Sequence, residues 1–304
     1  MQLPIRKIAD TLYLIDLPVD LNGFDGFIGA WVYTGGPVVI VDVGPAVCAG
    51  HLHDTLIELG IIQPDYILLT HIHLDHAGGI GTLAKAYPDT PVVCHPKAMD
   101  HLIDPQKLWQ GSLDTLGTVA QQYGPIDPVP ADQLMAADQL TSKRIKALPT
   151  PGHAAHHYSY IIGDLLFAGE VGGVCITLPD ATFYLRPATP PRFYLETYLE
   201  SIDRLIGEDF KHICYGHIGI RSNGQTMLQH HRSQLLKWRR WVEPWCHTNG
   251  DMAEDRVDQC LADLLNRDRF LAGFTQLSAP AQERERFFLR NSIKGYRGYF
   301  CASP

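Results

Sequence analysis

The chain has 304 residues, 45% of them apolar and 19% charged, and a formal net charge of −8. That length can bury the core of one large domain, or of a domain with an appendage. The acidic balance, without basic patches, argues against a nucleic-acid surface, and no stretch approaches the ~18 apolar residues of a membrane span. The opening Met-Gln-Leu-Pro-Ile-Arg-Lys-Ile-Ala-Asp lacks the apolar run of a signal peptide. Seven scattered cysteines with no CxxC pair suit reduced thiols, so the expectation is a cytoplasmic protein.

Taken in chain order, 11–17 alternates as a strand, and 27–34 and 38–43 read as strands joined at Gly35-Gly36. Residues 51–60 have helical spacing, 66–69 is a short apolar strand, and a helix is predicted over 76–87. A strand at 91–94 and helix over 106–123 follow. Strands are predicted at 144–148, 158–162 and 165–168, the last two joined by a Gly163-Asp164 turn. A helix over 193–206 and a strand at 212–215 close this part. Beyond Gly224 only helical stripes remain: Leu228, His231, Leu235, Trp238 and Val242, then Leu289, Ile293, Tyr296 and Phe300. The expected organisation is therefore an α/β core over 1–222 and a helical extension over 223–304. The extension would pack on the core or form a homodimer contact. Strands and helices interleave twice, in 11–103 and in 144–220. Two such sheets face to face would make a four-layer αββα sandwich.

The chemistry concentrates in Thr70-His71-Ile72-His73-Leu74-Asp75-His76-Ala77-Gly78-Gly79, where four of six consecutive residues can bind a transition metal. The segment follows an apolar strand and precedes a helix. The i, i+2 spacing puts His71 and His73 on one side of an extended segment, suited to sharing one ion. Asp75 and His76, at the turn into the helix, reach a second position. Gly78 and Gly79 would remove side-chain bulk beside the ions. His153, in Pro-Gly-His after the 144–148 strand, would be the third nitrogen on the first ion. His217, in Tyr-Gly-His after the 212–215 strand, would complete the second. Glu170 ends the strand at 165–168 beside Gly169, and a carboxylate there could bridge the pair.

These residues resemble the metallo-β-lactamase superfamily. The matching features are Thr-His71-x-His73-x-Asp75-His76-x-Gly, Pro-Gly-His153, the strand-end acid at 170, Gly-His217, and Asp42 in Val-Val-Ile-Val-Asp-Val-Gly. The resemblance covers about residues 10–220. It implies an αββα sandwich with two divalent metals at one edge, usually zinc, with iron or manganese in some branches. It also implies that Asp42 lies under the metals and orients their ligands. The family normally has Asp at the position of Glu170. A Glu, one methylene longer, can bridge only if the backbone recedes or the carboxylate folds back. Gly169, Gly172 and Gly173 would supply that freedom.

The expected activity is metal-dependent hydrolysis. A metal-bound hydroxide would attack an ester, thioester, lactone or related bond of a small molecule, with Asp75 holding it and passing on its proton. Two other readings use the same fold: an iron-dependent oxidoreductase resembling persulfide dioxygenases, and a signalling or interaction protein that keeps the metals but works through its helical surface. His156 and His157 stand near the ligands or substrate, with at least one in packing. Tyr184, Arg186 and Arg192 are read as part of a Pro-rich loop shaping a pocket, where Arg186 either holds a substrate carboxylate or is solvated. His231 and Trp238 are assigned to packing.

Overall fold

The computed structural model describes residues 3–191, 193–246 and 254–302, so Arg192 lies outside the described residues. Two compact units divide the chain: residues up to 149 with 156–163, and residues 150–155 with those from 164 onward.

The first unit holds β1 (Ile5–Ala9), β2 (Leu12–Asp16), β3 (Gly29–Tyr33), β4 (Val39–Val41), α1 (Ala49–Glu58), β5 (Tyr66–Leu68), α2 (Leu74–Ala77) and α3 (Ile80–Ala86). It continues through β6 (Val92–Cys94), α4 (Pro96–Ile103), α5 (Gln106–Leu116), α6 (Thr118–Tyr123), β7 (Leu134–Ala136), β8 (Ile145–Pro149) and β9 (Tyr158–Ile162). β1 to β7 form one sheet in sequence order. β1 to β4 pair antiparallel and β4 to β7 pair parallel. Parallel pairing requires a crossover after each strand, and α1, the α2–α3 pair and α4–α6 supply them. The central strands are buried on both faces, with Ile40, Val41, Ile67, Leu68, Val92 and Val93 sealed from solvent. Such strands read as continuous apolar runs. β8 and β9 pair antiparallel.

The second unit holds β10 (Leu165–Gly169), β11 (Val174–Thr177), β12 (Phe183–Arg186), α7 (Leu195–Ile206), β13 (His212–Tyr215), β14 (Ile220–Ser222), α8 (Gly224–Cys246), α9 (Glu254–Arg267) and α10 (Ala279–Ala302). β10 pairs parallel with β13, and β13 antiparallel with β14. β11 and β12 form a separate antiparallel pair. The helical stripe of α8 is buried from Leu228 to Val242, as are Leu289, Ile293 and Tyr296 of α10. One carboxylate ties this region together. Asp268 accepts from Gln234 Nε2 and Trp238 Nε1, both at 2.7 Å, and from the Phe270 amide at 3.0 Å. Gln234 also donates to the Leu185 carbonyl of β12, and Tyr296 Oη to the Leu235 carbonyl of α8.

Several elements differ from expectation. The helix predicted over 76–87 is two pieces, α2 and α3, separated at Gly78-Gly79. β1 is exposed over all but its first residue, and β7 and β14 are three residues long, so none carries a readable alternation. The segment read as a Pro-rich loop contains β12, whose Tyr184 and Leu185 are fully buried. All seven cysteines are free. No helix among the described residues is long and apolar enough to cross a membrane.

His231 of α8 is fully buried against Tyr198, and burial pushes its pKa down from 6.5 to about 4. The folded state therefore keeps it neutral while the unfolded chain takes up a proton below pH 6.5. Its contribution is complete above that pH and lost progressively down to pH 4, by about 3 kcal/mol. Urea unfolding at stepped pH should record this loss, and His231→Gln should flatten it.

Candidate functional site

In the first unit the site begins at the end of β4. Asp42 has a left-handed backbone, φ 56°, which Asp tolerates better than most residues. Its carboxylate accepts from the Thr70 amide at 2.8 Å and from the Thr70 hydroxyl at 2.8 Å. It also accepts from His76 Nδ1 at 2.8 Å. The hydroxyl has one hydrogen, committed to Asp42, so at 3.1 Å from His71 Nδ1 its oxygen accepts from that ring. A single buried acid thereby assigns both imidazoles the Nδ1–H form and leaves Nε2 of each as a lone-pair donor. His71 Nε2 stands 3.0 Å from His73 Nδ1. Donor atoms of His71 and His73, and of Asp75 and His76, lie within 4.8 Å of each other. The chain turn between these pairs sits at the start of α2, with His73 extended at φ −64°, ψ 152°.

Gly78 and Gly79 serve this arrangement differently from expectation. A Cβ on Gly78 would stand 2.9 Å from the Ala46 nitrogen, and one on Gly79 2.9 Å from Ala49 Cβ. The two glycines let α2 lie against the 44–49 segment. They also allow the His76 carbonyl to accept from the Val43 and Gly44 amides at 2.7 and 3.2 Å. Of the following histidine pair, His157 is fully buried with its ring 5.2 Å from that of His71. His156 is partly exposed, 5.9 Å from the His73 ring.

In the second unit, His153 sits in a turn fastened to α7. Ser201 Oγ donates to the Pro151 carbonyl at 2.6 Å, and a Cβ on Gly152 would lie 2.6 Å from Tyr198 Cα. His153 Nδ1 is 2.8 Å from the Ala188 carbonyl, which can only accept, so Nδ1 carries the hydrogen. Its Nε2 then meets Glu170 Oε2 at 2.8 Å, while Glu170 Oε1 lies 3.4 Å from His217 Nε2. A lone pair facing a carboxylate at that distance requires a proton or a cation between them. Gly169 and Gly173, at φ 55° and 77°, shape the backbone on either side of Glu170, whereas Gly172 is not left-handed. Tyr198 Oη donates to the Glu170 carbonyl at 2.6 Å, and burial pushes this phenol well above its usual value. The Gly216 amide donates to the Gly169 carbonyl at 2.9 Å, setting His217 beside Glu170.

Arg186 is neither solvated nor open to a substrate. It is 3% exposed and pairs with Glu285 of α10 at 2.5 Å. Burial opposes the charge of Glu285, but Arg186 and Arg284 hold its carboxyl below the usual carboxylate range. Tyr184 is buried in the same place, not in a loop. Tyr198, Ser201 and the Ala188 carbonyl carry no motif. The amphipathic pattern of the predicted 193–206 helix was the only signal for two of them.

The predicted ligands are thus borne by strand ends and the turns after them, the usual ligand side of α/β sheets. The model of the metallo-beta-lactamase superfamily matches residues 24–217. The chain belongs to that superfamily. A metallo-beta-lactamase fold-containing protein of Sulfurisphaera tokodaii is 29% identical over 180 residues, which cover 57% of this chain and 66% of that one. A hydroxyacylglutathione hydrolase of Xylella fastidiosa is 30% identical over 152 residues, 49% of this chain and 47% of its own length. The chain thus spans less than two thirds of the length of these relatives. The crystal structure of an archaeal superfamily protein from Sulfolobus tokodaii superposes with a TM-score of 0.69 at 22% identity, covering 95% of this chain and 99% of that one. The fold is the expected α/β sandwich of the metallo-β-lactamase superfamily with a helical C-terminal region.

The Asp42 network makes a prediction independent of any ligand. Asp42→Asn keeps a residue tolerant of φ 56° but replaces one acceptor oxygen by a donor. The His76 ring should switch away from Nδ1–H in ring-nitrogen NMR spectra, and urea unfolding should lose about 2 kcal/mol.

Proposed function

We propose that the two ligand sets work as one binuclear metal centre of a hydrolase. One divalent ion would be held by His71, His73, His153 and Glu170, and the second by Asp75, His76 and His217. The observation that carries this reading is the Glu170 carboxylate, whose two oxygens each face a different histidine, His153 and His217. Gly169, left-handed at φ 55° just before this residue, supplies backbone freedom that supports a Glu serving where the family normally has Asp. The donors are imidazole and carboxylate without thiolate, a set that suits zinc first and also iron or manganese.

When bound, such an ion pair supplies an activated water near neutral pH and polarises the attacked oxygen. The chain's own groups do the rest. Asp42 keeps His71 and His76 in their Nδ1–H forms, and the Ala188 carbonyl does so for His153. Asp75, partly exposed at the first turn of α2, takes up and passes on the proton at its carboxylate. His156, partly exposed beside His73, flanks the approach of a small-molecule ester, thioester, lactone or related substrate. The similarity to a hydroxyacylglutathione hydrolase supports hydrolysis as the reaction.

Elemental analysis of the purified protein should find about two ions per chain, with chelator-sensitive turnover on an ester, thioester, lactone and phosphoester panel. One ion and no hydrolysis would overturn the reading. His217→Ala should lose about one ion and most turnover. Glu170→Asp should retain or increase metal occupancy, and no change in either metal or activity would mean that Glu170 is not a ligand.

A further inference from the structure

The segment that orients His153 is itself held by α10. The Ala188 carbonyl that accepts from His153 Nδ1 lies between residues bonded to that helix on both sides. Before it, Arg186 Nε donates to Glu285 Oε2 at 2.5 Å and Ser292 Oγ donates to the Pro187 carbonyl at 3.2 Å. After it, Thr189 Oγ1 donates to the Ser292 carbonyl at 3.2 Å. Helix and segment touch backbone to backbone, since a Cβ on Gly295 would lie 2.6 Å from the Pro190 carbonyl oxygen. Glu285 is fully buried, and Arg284 donates to its other oxygen at 3.0 Å, so the ion pair has no solvent alternative.

We infer that α10 is a working part of the metal centre, with Glu285 and Ser292 as positioning residues that aim His153 through the Ala188 carbonyl. The inference rests on the reading of His153 as a metal ligand. A metal-bound imidazole gains basicity and a fixed orientation from the acceptor on its other nitrogen, and loss of such an acceptor weakens binding about 10- to 100-fold. Here that acceptor is a main-chain carbonyl, which cannot be deleted by substitution but can be displaced by loosening its supports. Glu285→Gln breaks the stronger support and Ser292→Ala the milder one.

The test measures Zn2+ and Co2+ affinity by competition with a chromophoric chelator, together with ring-nitrogen NMR of the metal-free protein. Ser292→Ala and Glu285→Gln should weaken one ion about tenfold and blur the Nδ1–H signature of His153. Lys294→Ala, a change on α10 that breaks an exposed ion pair to Glu254 of α9, should change neither. His153→Ala marks the full loss. Should Glu285→Gln fail to fold, Ser292→Ala alone decides. If His153→Ala loses an ion while the folded Ser292→Ala and Glu285→Gln proteins keep wild-type affinity and His153 signature, the inference is overturned and the metal centre stands. If His153→Ala binds both ions like wild type, the ligand reading fails and the inference with it.

Discussion

The buried carboxylate of Asp42 is the constraint on which the arrangement of the His71–His76 segment depends. Its two oxygens accept from a strand-end amide, a hydroxyl and an imidazole. Because the hydroxyl passes the effect on, two histidines five residues apart acquire the same protonation form from one source. An uncompensated buried carboxylate would be costly, so the network and the charge require each other. The left-handed backbone at Asp42 turns the chain at the end of β4, where the His76 carbonyl receives the next two amides.

The second unit reaches a comparable result by different means. There the acceptor for His153 is main chain, and the turns bearing His153 and Glu170 are fastened to α7 by Ser201 and Tyr198. Glu170 is then a side chain of fixed origin with one methylene more than Asp. Gly169, the residue before it, takes a left-handed φ of 55°, which glycine adopts without steric cost.

Much of this was legible in the sequence, for local reasons. His71, His73, Asp75 and His76 are adjacent in the chain, so their pairing needs only strand and turn geometry. The central strands announce themselves because burial on both faces makes them uninterrupted apolar runs. What escaped reading depends on partners distant in the chain. Arg186 looks like an ordinary surface residue until Glu285, 99 positions later, is placed beside it. Gly78 and Gly79 look like clearance for ions, whereas what they clear is the backbone of the 44–49 segment. β7 and β14 are too short to carry a pattern, and β1 is too exposed, each being recognisable only through the strand it pairs with.

The separation of Arg186 from Glu285, and of Thr189 from Ser292, also has a temporal side. A chain made from its N-terminus exposes the 186–189 segment about a hundred residues before its clamp emerges, and contacts that close long loops form late. During that interval Arg186 has no buried anion to meet, and the loop carrying the Ala188 carbonyl lacks its bonds to Glu285 and Ser292. The 186–189 segment is therefore fastened only when α10 docks. The orientation of the Ala188 carbonyl is tied to the emergence of α10 and not to synthesis of the segment that bears it.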